Sequence, residues 1–236
     1  MGTNSRGSGM DQSKIYVVIP WREQPSRTRP FKEVMAWFED NLPDANIITV
    51  DSPYEFWSMS AVRNIGVRFA EERGADIVII NDADTIPELP TLLEAIEAAM
   101  NDDFIHNPYD MAKFYGEEAT EKYFLKGISL DKLPFMPMYP NGGAYVFKPS
   151  SWWLLGGNDE KFRKWGYEDN AFDYVHQIVH GKEIIKHKGS ITLFNHEIQD
   201  HPATPSLQLK VNQHLYSKYL TITDPKELLK FVESEL

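Results

Sequence analysis

Short apolar runs alternate along this chain with segments in which apolar residues recur every three or four positions. The first half contains three runs typical of buried strands, over Lys14 to Pro20, Asn46 to Val50 and Ile77 to Ile80. Between them, Pro30 to Asn41 and Ser58 to Gly74 have helical spacing, and Gly74 is a typical C-cap. This β-α-β-α-β order predicts right-handed crossovers and a mostly parallel sheet.

The second half is less regular. The pattern predicts further strands at Ala144 to Phe147 and Ile191 to Phe194, and further helices at Thr91 to Met100, Asp169 to Val179 and from Pro225 to near Leu236. Residues 101–140 are rich in aromatic and turn residues, which is typical of a binding loop or lid.

No repeat, linker or domain boundary is evident between residues 10 and 236. We therefore expect a single α/β domain, with a mixed, mostly parallel central sheet and helices on both faces. Residues 1–9 have the composition of an added leader, with Met10 as the expected native start.

Composition excludes several classes of protein. The net charge of −11 argues against bulk electrostatic binding of nucleic acid, although residues 182–188 form a local basic patch that is either a solvated edge or a groove. No apolar run approaches the ~20 residues of a membrane span, and no signal peptide is evident. The absence of cysteine excludes thiolate metal sites and fits a reducing cytosol, so a cytoplasmic location is expected, which would be the host cytoplasm if the protein is viral.

The most informative chemical feature follows the third strand. Asp82 and Asp84 come directly after its apolar run, and in extended backbone residues i and i+2 point to the same side. Open α/β sheets bind ligands at this end of their strands. The pair is therefore expected to hold a hard divalent cation that carries a substrate's phosphates, although a polar turn would show the same two residues.

Three segments together resemble the nucleotide-sugar glycosyltransferases of the GT-A fold. The strand ending in Asn81 to Asp84 resembles their Asp-x-Asp motif. Phe56 and the segment Ala61 to Gly66 resemble the nucleotide-contacting helix of β-1,4-galactosyltransferase-like enzymes, and Asn141 to Asp169 resembles their C-terminal Gly-Gly and Trp-Gly-x-Glu-Asp block. The first strand, ending in Ile19 to Arg22, is also similar to small phage-type glycosyltransferases.

The resemblance implies a Mn²⁺ or Mg²⁺ site that holds the diphosphate of a nucleotide sugar. Asp84 is the expected direct ligand, and Asp82 is expected to face the ribose or the waters of the metal. His196, just past a late strand, would complete the site, with His201 as its rival. A neutral imidazole ligand favours Mn²⁺ over Mg²⁺.

Glu168 and Asp169 are the expected catalytic pair. The resemblance implies that Asp169 is the general base that deprotonates the acceptor hydroxyl, and that Glu168 orients the donor sugar or the acceptor. The order Glu-Asp favours inversion of the anomeric centre. Without the resemblance, two acids at a helix start could equally be favourable N-terminal charges.

The nucleotide sugar is expected at the first two strand ends and the following helix. Pro20, Arg22, Asp51 and Asn64 are predicted to contact the nucleotide, and Arg63 to pair with the diphosphate. The remaining residues predicted to line the donor site are Gly142, Gly143 and either Trp165 or Tyr167.

The resemblance predicts a hexosyltransferase that uses a nucleotide diphosphate sugar, UDP-linked by preference. The acceptor is expected to be a saccharide or, from the phage-like first strand, a hydroxymethylated pyrimidine in phage DNA, held by the basic patch or by loop 101–140. Two alternatives remain. A nucleotidyltransferase would be expected to carry a Gly-rich loop after the first strand, which residues 21–25 lack, and a sugar-binding module would not need both acidic motifs.

Overall fold

The computed structural model describes residues 11–197 and 206–234, so the predicted leader and His201 lie outside the described residues. The strands in this part of the chain are β1 (Ile15–Pro20), β2 (Asn46–Val50), β3 (Ile77–Asn81), β4 (Thr85–Pro87), β5 (His106–Asn107), β6 (Met111–Tyr115), β7 (Met136–Met138), β8 (Ala144–Phe147), β9 (Ile185–Lys186) and β10 (Ser190–Phe194). The α-helices are α1 (Thr28–Asn41), α2 (Met59–Glu71), α3 (Leu89–Asn101), α4 (Glu117–Lys126), α5 (Pro149–Leu154), α6 (Glu168–His180), α7 (Leu207–Tyr219) and α8 (Pro225–Glu233).

The central sheet has six strands in the order β2-β1-β3-β8-β5-β9. The strands β2, β1 and β3 run parallel, as the β-α-β-α-β pattern predicts. β8 is antiparallel to both β3 and β5, and β9 is parallel to β5. The sheet is therefore mixed, and its parallel half brings the carboxyl ends of β1 and β3 to one edge of the molecule.

Helices cover both faces of this sheet, and the alternation of side chains along β1 shows how. Ile15, Val17 and Ile19 pack with α1 and α3 in one core cluster. Tyr16 and Val18 point to the opposite face, where α2, α5, α6 and α8 pack. Every residue of β1 is buried, which is why the strand reads as a continuous apolar run and not as an alternating one.

Residues 101–140 are not the irregular loop that their composition predicted. They form β5, β6, α4 and β7, and β6 joins β4, β10 and β7 in a second sheet of four strands. β6 pairs in parallel with β10, which lies far along the chain. The pattern of residues 101–140 was misleading because β6 and β7 are short strands whose partners are not local.

The C-terminal part contains one helix that the pattern did not predict, α7, whose N-cap Ser206 accepts a hydrogen bond from the backbone of Leu209. The short helix α5 was also not predicted. No described helix has the length and apolar character needed to cross a membrane.

Candidate functional site

The candidate site lies at the carboxyl ends of β1 and β3, where the chain enters the turn Asp82-Ala83-Asp84. β3 ends at Asn81, so the two aspartates lie in a turn and the alternation expected of extended backbone does not apply to them. The buried carboxamide of Asn81 donates to the carbonyls of Asp82 and Thr85, at 2.8 and 2.9 Å, and holds this turn. As a result, the two carboxylates face different partners.

Asp84 faces the loop that follows β1 and the end of β10. Its Oδ2 lies 2.9 Å from Nε2 of His196, and its Oδ1 lies 3.4 Å from Nη2 of Arg27. Burial acts to raise the pKa of Asp84, but Arg27 and His196 outweigh it and the pKa is lowered. Burial acts to lower the pKa of His196, but the hydrogen bond and charge of Asp84 leave it raised. Asp84 is therefore ionised at neutral pH.

Asp82 faces α2 and α6. Its Oδ1 is buried, lies 3.7 Å from Nη2 of Arg63, and has no hydrogen-bond donor in the described part of the chain. Burial raises the pKa of Asp82 to about 6, with the charge of Arg63 opposing the shift and the charges of Asp84 and Asp169 adding to it. A buried carboxylate oxygen that lacks a donor is a ready ligand for a cation.

Asp84 Oδ2 and His196 Nε2, 2.9 Å apart, are two candidate ligands for a divalent cation, and the unpartnered oxygen of Asp82, which faces α2 and α6, is a third. Among residues 11–197 and 206–234, no group of three or more His, Asp or Glu side chains is arranged so that it could hold a metal ion. A cation here would hold only two or three protein ligands and would take its remaining ligands from phosphate oxygens or water, as Mg²⁺ and Mn²⁺ commonly do.

Asp169 is held on one side and open on the other. Its Oδ1 accepts hydrogen bonds from Nη1 of Arg63 at 2.6 Å and from the hydroxyl of Tyr145 at 2.8 Å. Its Oδ2 lies against the backbone of Gly142, where an added Cβ would come within 2.1 Å. The side chain of Asp169 is 24% exposed. This is the arrangement of a fixed carboxylate with one oxygen available for a proton.

Glu168 is buried beside Asp169 and has a different chemistry. Its Oε2 accepts a hydrogen bond from the backbone N–H of Gly166 at 2.9 Å. Burial, with the charge of Asp169 adding to it, raises the pKa of Glu168 to about 8. Glu168 is therefore mostly a neutral acid at neutral pH.

Buried side chains of β5 and of the loop that follows it donate hydrogen bonds to the backbone of the turn 141–143. The hydroxyl of Tyr109 donates a short hydrogen bond to the carbonyl of Gly142, and the carboxamide of Asn107 donates to the carbonyls of Asn141 and Ala144. Gly143 has φ +122°, which favours glycine, and its carbonyl accepts from the backbone of Asp82 at 2.8 Å. This turn therefore connects the acidic turn after β3 to Asp169.

Arg22 and Asp51 form a pair at the ends of β1 and β2. Arg22 Nε donates to Asp51 Oδ1 at 2.7 Å, and its two Nη atoms donate to the carbonyls of Ser52, Tyr54 and Glu55. Most donors of Arg22 therefore hold the loop 51–55 in place. Pro20 is buried at the end of β1 and is paired with β2.

Two other predicted site residues lie close to this region with different surroundings. The carboxamide of Asn64 is engaged with the 156–160 turn, donating to the carbonyl of Asn158 and to Glu160 and accepting from Trp152. Trp165 is 46% exposed in the loop before α6. Their roles in ligand binding stay predictions.

Two residues of the site were not identified from the sequence. Arg27 reaches Asp84 from the segment before α1, and Tyr145 reaches Asp169 from β8. Arg27 could have been identified from its position shortly after β1, because open α/β sheets bind ligands at this end of their strands. Tyr145 gave no signal, because a buried aromatic residue in a strand is typical of the core.

Comparisons with known proteins agree with this architecture. No family model matches the chain. It is 24% identical over 162 residues to a xylosylprotein 4-beta-galactosyltransferase of Caenorhabditis elegans. This alignment covers 67% of the present chain and 48% of that protein. The chain therefore spans about half the length of this relative.

Two solved structures extend the similarity to most of the chain. The catalytic domain of Drosophila β1,4-galactosyltransferase 7, in complex with xylobiose, has a TM-score of 0.57 at 16% identity and covers 84% of this chain and 79% of that one. GalNAc-T7 with UDP, GalNAc and Mn²⁺ has a TM-score of 0.56 at 12% identity, over 93% of this chain and 54% of that one.

Proposed function

From the GT-A fold that this chain shares with those glycosyltransferases, we propose that the protein is a metal-dependent hexosyltransferase. It transfers a hexose from a nucleotide diphosphate sugar, UDP-linked by preference, to an acceptor hydroxyl. The observation that carries the proposal is the carboxylate–imidazole pair of Asp84 and His196 at 2.9 Å, with the open carboxylate of Asp169 on the other side of the acidic turn.

Asp84, His196 and Asp82 are the residues that would hold Mn²⁺. When bound, the ion neutralises negative charge on the departing diphosphate. Binding of the ion would require the neutral form of His196, whose pKa Asp84 raises, so the ion would bind less tightly as the pH falls. The GalNAc-T7 complex contains UDP and Mn²⁺, which supports this choice of donor and ion.

Arg27 is the residue we assign to the diphosphate, in addition to the predicted Arg63. Its side chain is only 15% exposed, its Nη2 lies 3.4 Å from Asp84, and its Nε is buried without an acceptor in the described part of the chain. A guanidinium with a free donor beside the cation site suits phosphate oxygens. Arg63 is farther from solvent and bridges Asp82 and Asp169 instead.

Asp169 acts as the general base in this proposal. Oδ2 takes the proton of the acceptor hydroxyl as that oxygen forms a bond to the anomeric carbon, while the bond from that carbon to the diphosphate oxygen breaks. Attack opposite the leaving group inverts the anomeric centre. The hydrogen bonds from Arg63 and Tyr145 engage Oδ1 and leave Oδ2, beside Gly142, as the oxygen that would take the proton. Glu168, mostly a neutral acid, can donate a hydrogen bond to a sugar hydroxyl.

A saccharide is the acceptor we favour. The C. elegans relative is named for a xylosylated acceptor, and the Drosophila catalytic domain was solved with xylobiose. A hydroxymethylated pyrimidine in phage DNA is the second acceptor to test. A nucleotidyltransferase remains the alternative reaction, and the absence of glycine from residues 21–25 disfavours it. A non-catalytic sugar-binding module would lose no turnover on replacement of Asp169.

The test combines donor release and thermal shift. The protein is incubated with UDP-, GDP- and TDP-sugars in Mn²⁺ or EDTA, and nucleotide release and melting temperature are recorded. We expect Mn²⁺-dependent release from one donor class, and loss of both release and the Mn²⁺-dependent shift in Asp84→Ala. Asp44→Ala, at an exposed position remote from the acidic turn, is the matched control.

The acceptor is then identified with the same donor. Transfer is measured to a panel of saccharides and to DNA that contains hydroxymethylcytosine. If no donor binds in Mn²⁺, or if Asp84→Ala keeps full release, the proposed function is wrong. Release of pyrophosphate from a nucleoside triphosphate and a sugar phosphate would identify a nucleotidyltransferase instead.

A further inference from the structure

The loop before α6 has an unusual backbone. Lys164, Gly166 and Tyr167 have φ angles of +58°, +106° and +72°. Lys164 and Tyr167 are not glycine, and each left-handed non-glycine residue costs about 1 kcal/mol or more. A conformation of this kind persists only when surrounding contacts impose it. The loop leads directly into Glu168 and Asp169, so whatever imposes the conformation also sets the position of both acids.

One buried side chain contacts the backbone of this loop at three points. Asn212 of α7 is fully buried, and its Nδ2 donates to the carbonyls of Arg163, Trp165 and Gly166 at 2.8, 3.3 and 3.0 Å. Its own oxygen accepts from Gln208 Nε2 at 2.9 Å. The carboxamide is therefore satisfied at both ends, and its donor end serves only the loop.

The packing of α7 against the loop points the same way. A Cβ on Gly166 would come within 2.5 Å of Leu209 Cδ1, so the loop backbone lies directly on α7. The rings of Tyr167 and Tyr216 stack with their centroids 5.7 Å apart. Tyr167 is the N-cap of α6, and Gly166 donates its N–H to Glu168. Asn212 thus acts at the point where the left-handed loop becomes the catalytic helix.

We infer that Asn212 is a positioning residue for Asp169. Its two N–H groups donate to three carbonyls, hold Lys164, Gly166 and Tyr167 in their positive-φ conformation, and so fix the direction in which α6 presents its first turn. This inference rests on the proposed function, because it assigns Asn212 to the transfer step. Asn212 itself is not among the residues assigned to the donor or to the cation, so it would act only through the loop that it holds.

Two substitutions separate hydrogen bonding from packing. Asn212→Ala removes the carboxamide, and Asn212→Asp keeps its shape but replaces the donor with an oxygen that faces three carbonyls. Gln213→Ala is the control on the exposed side of the same helix. Val232→Ala, on the buried side of α8, is the control for general destabilisation.

The first readout needs no substrate. Amide hydrogen exchange is measured on peptides that cover residues 163–169 and on peptides from β1 and β3. Both Asn212 variants should exchange at least 10-fold faster in 163–169, with β1 and β3 unchanged, while Val232→Ala should leave 163–169 near the wild-type rate. Equal protection of 163–169 in wild type and both Asn212 variants would overturn the inference, whether or not the protein is a glycosyltransferase.

The second readout is kinetic. In both Asn212 variants, kcat for transfer should fall about 10- to 100-fold, because a displacement of about 1 Å at a catalytic group has this effect. The dissociation constant for donor with Mn²⁺ is measured in parallel, and kcat is measured at saturating donor, so that any effect on donor binding through Trp165 or Tyr167 is separated from the effect on transfer. Faster loop exchange with unchanged kcat would overturn the positioning role. A wild type that binds no donor would instead reject the proposed function and leave the exchange result standing.

Discussion

The guanidinium of Arg63 donates a 2.6 Å hydrogen bond from Nη1 to Oδ1 of Asp169, and it does so while only 1% exposed. Burial opposes its charge, but Asp169 and the other acidic groups around it keep the pKa of Arg63 above its ordinary value. A buried charge is tolerated only when it is paired, and Arg63 is paired with Asp169 at one Nη and lies 3.7 Å from Asp82 at the other. Arg63 therefore links the acidic turn after β3 to the first turn of α6.

Replacement of Arg63 should destabilise the protein, because Asp82 in the turn after β3 and Asp169 of α6 both lose their cationic partner. In Arg63→Met, the free energy of unfolding should fall by about 3 kcal/mol, because a buried ion pair loses one partner. Adding Asp169→Asn should produce less than the sum of the two single effects, since they share one interaction. Urea unfolding of the four proteins measures this coupling. Arg29→Met, at an exposed position, is the control, and strictly additive effects would contradict the pairing.

Gly142 should be essential for the position of Asp169. In Gly142→Ala, the new Cβ would come within 2.1 Å of Asp169 Oδ2, so the carboxylate must move. We expect kcat for transfer to fall by about 100-fold, because a misplaced base no longer reaches the acceptor proton. Gly116→Ala is the matched control, since a Cβ there meets nothing within 4 Å and its φ is ordinary. Equal activity of the two variants would contradict the proposed base.

Glu168 should make the stability of the protein fall as the pH rises. Its folded-state pKa of about 8 lies above the ordinary value of 4.5 that it has in the unfolded chain, so its contribution is complete below pH 4.5 and is lost as the pH rises through 8. Glu168→Gln should therefore be more stable than wild type at pH 8, by about 2 kcal/mol or more, and equal to it near pH 4. Unfolding in urea at several pH values measures the difference. The exposed Glu121→Gln should show no such trend.

His176 should make the stability of the protein fall as the pH falls, which is the opposite of the effect of Glu168. It is fully buried, Nε2 accepts from the backbone of Ile105 at 3.2 Å, and Nδ1 therefore carries the proton donated to the carbonyl of Lys182 at 2.8 Å. Burial lowers its pKa to about 4. The unfolded chain binds a proton near pH 6.5 and the folded protein does not, so stability is lost as the pH falls from 6.5 to 4.

The measurement compares wild type with His176→Gln between pH 7 and 4. The variant should lack a loss of about 3 kcal/mol that wild type shows over this range. The comparison is needed because Glu168 and Asp82, whose pKa values are raised, also titrate there. His214→Gln, at an exposed position, should behave as wild type. Parallel curves for wild type and His176→Gln would contradict the assignment.

The prediction of a GT-A fold is confirmed by the structural similarity, and local pattern accounts for most of the element boundaries. β2 and β8 have the predicted ends, and β1 and β3 differ by one residue. β1, β3 and β8 are fully buried, because both of their faces are covered by helices, whereas the edge strand β2 is only partly buried. The cytoplasmic location, the single-domain boundary and the roles of individual site residues stay predictions.

The sequence by itself determined β1, β2, β3 and β8 of the central sheet, the helices α1, α2, α3 and α6, and the segments that carry the acidic groups, because the period of apolar residues depends only on local backbone geometry. Only the tertiary structure decided which side chains contact one another in the site. Arg27 meets Asp84, Arg63 joins Asp82 to Asp169, and Asn212 holds the loop before α6, across separations that no local period encodes. The pairing of β6 with β10 was also decided only by the tertiary structure, because the two strands are far apart in the chain and their contact depends on how whole elements pack against each other.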